Sequence, residues 1–120
     1  MTETESMNLA VVRRTLAGYG RDPLGVRLRD YAPDFTYEAP GFSGQVVGRD
    51  AMAASLANLV ASHPDLTFVT RSILVSGMNV GVEGEVRYFE NGRVRTFQQA
   101  LFYTVLDNKI RSLRVYTQER

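Results

Sequence analysis

Residues 80–106 read VGVEGEVRYFENGRVRTFQQALFYTVL. Two runs of period-two alternation flank Glu90-Asn91-Gly92-Arg93. Asn-Gly between such runs is the strongest short-range hairpin signal. The stretch therefore predicts two long antiparallel strands, Val80–Phe89 and Val94–Leu106. The same period continues on both sides. Leu66–Ser76 reads as a strand that turns at Gly77-Met78-Asn79, and Lys109–Thr117 as a strand entered through Asp107-Asn108. Four long consecutive strands thus make up the second half of the chain.

The first half has a different period. Leu9, Val12, Leu16 and Tyr19 fall on one helical face, which predicts a helix from Ser6, its cap, to Gly18, with Arg13 and Arg14 solvated off the stripe. Asp22-Pro23 reads as an N-cap and first helical residue, opening a second helix with Leu24, Leu28 and Tyr31 on its apolar side and Pro33 as its stop. Phe35–Ala39 and Gly44–Val47 read as short strands around Pro40-Gly41. Asp50 is the expected cap of a third helix that buries Met52, Leu56, Leu59 and Val60 and ends at Ser62-His63-Pro64. Three helices cannot cover both faces of so long a sheet. The expected class is α+β, with one strongly curved antiparallel sheet wrapped like a cone around three N-terminal helices and an internal cavity between them. Leu16, Leu28, Leu56 and Leu113 are expected in the core.

Length and composition narrow the function. At 120 residues, 44% hydrophobic and 22% charged, the chain is expected to form one domain over residues 1–120, with the polar first five residues flexible. The net charge of +1 gives no electrostatic case for nucleic acid or a membrane surface. There is no cysteine and one histidine, His63, which excludes disulfides, thiol chemistry and multi-histidine metal sites. No apolar run has the roughly 18–20 residues needed to span a bilayer, and no basic-then-apolar leader precedes the first helix. A cytoplasmic protein is expected.

The order of elements carries local patterns: Asp22-Pro23, Tyr31-Ala32-x-Asp34-x-Thr36-x-Glu38-x-Pro40, Gly48-Arg49-Asp50 and Asn108-Lys109-Ile110. Over nearly the whole chain this resembles the nuclear transport factor 2-like superfamily, and within it the SnoaL-like and ketosteroid-isomerase-like proteins. The resemblance implies a cone-shaped fold and a small-molecule pocket; it does not imply one activity, because the fold hosts many. In the isomerases the strand ends Glu-Asp-Pro and that Asp is the base, whereas here the position is Ala39. The position of the isomerase tyrosine matches near Arg14 or Thr15, and that of its second acid matches Leu101. Catalysis by that carboxylate and oxyanion hole is not expected.

Matching to the isomerase pattern turns Val82, Gly84, Val86 and Tyr88 inward, with Phe97, Gln99, Leu101, Tyr103 and Val105 on the next strand and Leu113, Val115 and Thr117 on the last. Phe35, Tyr37 and Ala39 share that face and Glu38 points away. The expected catalytic polar set is Tyr37, Tyr88, Gln99 and Tyr103; the expected substrate-binding wall is Ala39, Met52, Leu56, Leu59, Val86, Leu101, Leu113 and Val115. Such a pocket suits an apolar, polycyclic or polyketide-like ligand and a cofactor-free isomerase or cyclase that needs no metal. With only tyrosines and an amide inward, its profile is expected to be flat from about pH 5 to 8. Inverting the alternation by one residue would instead face Glu83, Glu85 and Arg87 inward, the arrangement of an epoxide-hydrolase-like enzyme. A third reading is a non-catalytic binding or dimerisation module. His63 reads as a helix-end cap, Asp34 as a turn residue, and Arg95 as a rim residue in reach of an anionic ligand. Phe89, Ala100, Phe102, Ile110 and Tyr116 on the outward face point to a homodimer.

Overall fold

The computed structural model describes residues 1–18, 28–40 and 44–120. Its elements are α1 (Glu3–Ala17), a single 3-10 turn (Leu28–Asp30), β1 (Tyr31–Ala39), β2 (Gly44–Val47), α2 (Arg49–Ser62), β3 (Thr67–Ser76), β4 (Asn79–Glu90), β5 (Arg93–Leu106) and β6 (Lys109–Glu119). One curved six-stranded sheet runs in the order β2-β1-β6-β5-β4-β3. The expected α+β class holds, with two α-helices among the described residues. The segment assigned to the expected second helix lies mostly outside those residues, as do Tyr19 and the Leu28 side chain.

The four-strand meander follows directly from its turns. Asn91 and Gly92 both have positive φ (52° and 80°), as do Asp107 and Asn108 (54° and 60°). Two successive left-handed residues match the twist of the strands they join, and Asn, Asp and Gly adopt that conformation at least cost. These turns set the registers Glu90↔Arg93 and Leu106↔Lys109, from which the longer pairings follow. One pairing differs from expectation: β1 runs parallel to β6, joining Tyr31 to Ile110 and Tyr37 to Leu113, so the sheet is mixed.

The N-terminal half is shifted from the sequence reading at three places. The first helix starts at Glu3, not Ser6. Thr2 accepts from the Glu5 backbone N–H while the Glu5 carboxylate accepts from the Thr2 N–H, a reciprocal capping box. Glu5 also accepts from the Gly77 N–H and Asn8 donates to the Gly77 carbonyl, which fixes α1 to the β3–β4 turn. Second, Tyr31, Ala32 and Pro33 are already strand, because pairing with β6 overrides the helical spacing. Third, α2 is entered through Gly48 at φ 96°, and Asp50 lies in the first turn, where its charge complements the helix dipole without capping.

The core lies between the helices and the concave face. Val11, Val12 and Leu16 from α1 and Met52 and Leu56 from α2 meet Phe35, Leu101 and Leu113 from the sheet. Each such side chain contributes about 1.5–3 kcal/mol when fully buried. Ile110, expected on the outward face, is fully buried in this cluster; Phe89, Phe102 and Tyr116 are exposed. Arg14 is not merely solvated. It makes two hydrogen bonds to the buried Asp30 carboxylate (3.1 and 2.8 Å), tying α1 to the turn before β1. This pairing raises the Arg14 pKa above its ordinary value. Gly84 is required by a close approach, since a Cβ there would lie 2.3 Å from Cζ of Phe68.

Candidate functional site

Alternation on the long strands places one set of side chains under α2. Together they enclose a cavity of about 420 Å³. Its apolar wall includes Met52, Leu56, Leu59, Val86, Leu101, Leu113 and Val115, all named from the sequence. Tyr37, Tyr88, Gln99 and Tyr103 also line it. Ala39 does not: it is buried at the end of β1 but lies outside the lining. Glu38 faces away and sits 3.6 Å from Arg114. Asp34 is a strand residue 3.6 Å from Arg111, not a turn cap.

The polar groups are few and separately held. The Gln99 amide nitrogen donates to the Thr117 hydroxyl (3.3 Å), which orients the amide and leaves its carbonyl as an acceptor. Burial raises the Tyr88 pKa, so its phenol remains a neutral donor at ordinary pH. Arg95 lies over the rings of Phe97 (5.1 Å) and Tyr88 (6.0 Å), but its guanidinium is taken by Glu90 (2.7 Å) and Glu119 (2.7 and 2.9 Å). It is a paired rim residue and does not line the cavity. The same contacts hold the Glu119 carboxyl below its usual range.

Sequence reasoning missed His63 as a lining residue. Its backbone N–H does close α2 by donating to the Leu59 carbonyl (2.9 Å). Its ring, however, stacks on Tyr88 with centroids 3.8 Å apart and lines the cavity. The signal was present: Met52, Leu56, Leu59 and His63 fall at i, i+4, i+7 and i+11, one continuous helical face. Tyr31, Val46, Ser55, Leu66, Phe97 and Thr117 complete the lining. The flat pH profile is expected for tyrosines and an amide alone, and His63 adds an imidazole to that inward set.

The charged trio is on the other face, so the alternation is not inverted. Glu83 is exposed. Glu85 has no exposed surface, yet it lies on the convex side. Arg71, the extra residue where the β3–β4 register shifts between Thr70 and Ser72, reaches it at 2.7 Å; Arg87 does so at 2.6 Å and Arg120 at 3.4 Å. Guanidinium groups that are themselves half exposed are what cover it. Hydrogen bonds from Arg71, then Arg87, outweigh desolvation and lower its pKa from 4.5 to about 2. A depressed carboxylate contributes stability that is fully present above its unfolded value and lost as pH falls through its folded value. Glu85→Gln should therefore lower the melting temperature at pH 7 and flatten its decline between pH 4.5 and 2. An unchanged slope in that window would show that this carboxylate is not coupled to folding.

Among the described residues no group of three or more His, Asp or Glu side chains is placed to hold a metal ion, and no helix is long and apolar enough to cross a membrane. A cone-shaped sheet closed over a pocket by helices is the nuclear transport factor 2-like fold. Within it, the model of the SnoaL-like domain matches residues 12–113, and the chain belongs to that family. No curated protein sequence matches the chain. Solved structures agree on the fold. A protein assigned as a SnoaL-like polyketide cyclase from Jannaschia sp. CCS1 superposes with a TM-score of 0.85 at 19% identity, over 98% of this chain and 90% of that one. An NTF2-like protein from Anabaena variabilis ATCC 29413 gives 0.84 at 20% identity, over 100% and 96%. An LEH-like epoxide hydrolase from M. tuberculosis gives 0.79 at 19% identity, over 95% and 84%.

Proposed function

We propose that this SnoaL-like protein binds an apolar, planar, polycyclic or polyketide-like small molecule and acts on it as a cofactor-independent isomerase or cyclase. The observation that carries this reading is the cavity of about 420 Å³, with a continuous apolar wall and a handful of separated polar groups. Such a wall orients a flat ligand by shape, and the polar groups fix its rotation. The Tyr88 phenol donates to a ligand carbonyl and the Gln99 amide oxygen accepts from a ligand hydroxyl. The convex position of Glu83, Glu85 and Arg87 supports this reading over epoxide opening. A non-catalytic binding module is the second reading, favoured by the apolar residues Ala39 and Leu101 at the isomerase's acid positions.

Filling the cavity tests the site. Leu59 is half-buried on its wall, and Leu59→Trp adds an indole that competes for the same space. Binding of 2-naphthol, followed by its fluorescence, should weaken by about tenfold or more, a loss of roughly 1.4 kcal/mol, while the melting temperature stays within a few degrees. Equal binding by both proteins would place the ligand elsewhere.

A further inference from the structure

His63 stands apart from the other polar groups of the cavity. The rest are tyrosine hydroxyls, Ser55, Thr117 and the Gln99 amide, none of which changes charge near neutral pH. Histidine is the side chain that does. The imidazole lies against Tyr88 with an interplanar angle of 29°; Tyr88 lies over Phe97 at 5.5 Å, and Arg95 covers Phe97 at 5.1 Å. Stacking thus holds the imidazole in place by its face and leaves its edge free. Among the described residues neither the His63 imidazole nor the Tyr88 hydroxyl has a hydrogen-bond partner. Both are partly exposed and both line the cavity. A proton acceptor stacked beside a neutral donor, both reachable from the cavity, is an arrangement that one ligand hydroxyl can bridge.

The surrounding charges do not compete for that role. Among the described residues, Arg95 on β5 lies over the Tyr88 and Phe97 rings, and Glu90 and Glu119 take its guanidinium. Asp65, between α2 and β3, accepts the Phe89 backbone N–H at 2.8 Å. None of these four groups lines the cavity.

We infer that His63 is the proton-exchanging residue of the cavity, and that the ligand is a planar conjugated molecule bearing an acidic enol or phenol hydroxyl. This rests on the cavity being a small-molecule site. The ligand O–H bond breaks and its proton passes to an imidazole nitrogen. The oxygen keeps the electron pair and accepts a hydrogen bond from the Tyr88 hydroxyl. For an enol the proton then returns to carbon: the oxygen pair closes to C=O, the C=C pair takes the proton from the imidazolium, and a C–H bond forms. The net change is a keto–enol isomerisation that consumes no other reagent.

The test uses 4-nitrophenol, whose phenolate absorbs in the visible, and its non-ionisable analogue 4-nitroanisole, both with the full chain. About one pH unit below the probe's own pKa, nine-tenths of free 4-nitrophenol is neutral. Wild type should bind it and raise the phenolate absorbance. His63→Gln should still bind 4-nitroanisole, whatever the change in its affinity, yet at saturating 4-nitrophenol lose the bound phenolate signal by about tenfold. Tyr88→Phe should retain a weaker signal. If wild type binds 4-nitrophenol in its neutral form, or if His63→Gln ionises it equally, the role of His63 is overturned and the pocket stands. If neither probe binds wild type, the small-molecule reading falls together with it.

Discussion

Phe35→Ala should destabilise the protein by about 3–5 kcal/mol, a large part of the roughly 5–15 kcal/mol that holds a domain together. Phe35 has no exposed surface and stacks on Tyr31 with centroids 4.6 Å apart and an interplanar angle of 15°. It belongs to the cluster in which both helices meet the sheet. Truncation removes the ring from a site walled by several elements, each held by its own pairings, so the walls cannot all collapse into the space. Urea denaturation should show a lower midpoint at unchanged slope. A loss below about 1 kcal/mol would mean that the cluster relaxes freely around β1.

Ala39→Asp should be comparably harmful at neutral pH and less so in acid. Ala39 is 1% exposed and paired with Gly44 on β2. A carboxyl introduced there loses its hydration, so its folded pKa rises above the unfolded value of about 3.9. A shift of about three units would cost roughly 4 kcal/mol once the group must ionise. The sign is opposite to that of Glu85. The penalty is full above the raised folded pKa and shrinks as pH falls toward the unfolded one. The melting temperature of Ala39→Asp relative to wild type should therefore recover between pH 7 and about pH 4, whereas Ala39→Asn should show a constant deficit. A constant deficit for both would make the cost one of volume and not of charge.

Local signals made most of the sheet legible. The turns at Asn91-Gly92 and Asp107-Asn108 state their conformation in their residues, and with the registers set, every inward side chain of β4 and β5 follows. What was illegible depends on partners distant in sequence. Tyr31 reads as helical by spacing with Leu24 and Leu28, and only its pairing with Ile110 makes it strand. Nothing near Phe35–Ala39 announces that β1 is parallel to β6. The burial of Glu85 depends on a register shift that brings Arg71 over it, and alternation alone assigns it to solvent. For the site, the apolar wall was legible because it shares the sheet's period. His63 was hidden by its second role, since a residue that ends a helix with its backbone can still send its ring elsewhere.

The parallel pairing of β1 with β6 also orders events in time. Ala39 ends β1 about 70 residues before Ile110, so a ribosome adding about 5–20 residues per second finishes β1 roughly 4–14 s before its neighbour β6 exists. During that interval the hydrogen-bonding edge of β1 that later meets β6 is open, and an open edge is a template for another chain. β3 to β6 can zip successively through short turns, but joining β1 to β6 closes a long loop and is the slow, entropically costly step. Crowding of nascent chains on one message is therefore expected to lower the yield of native protein.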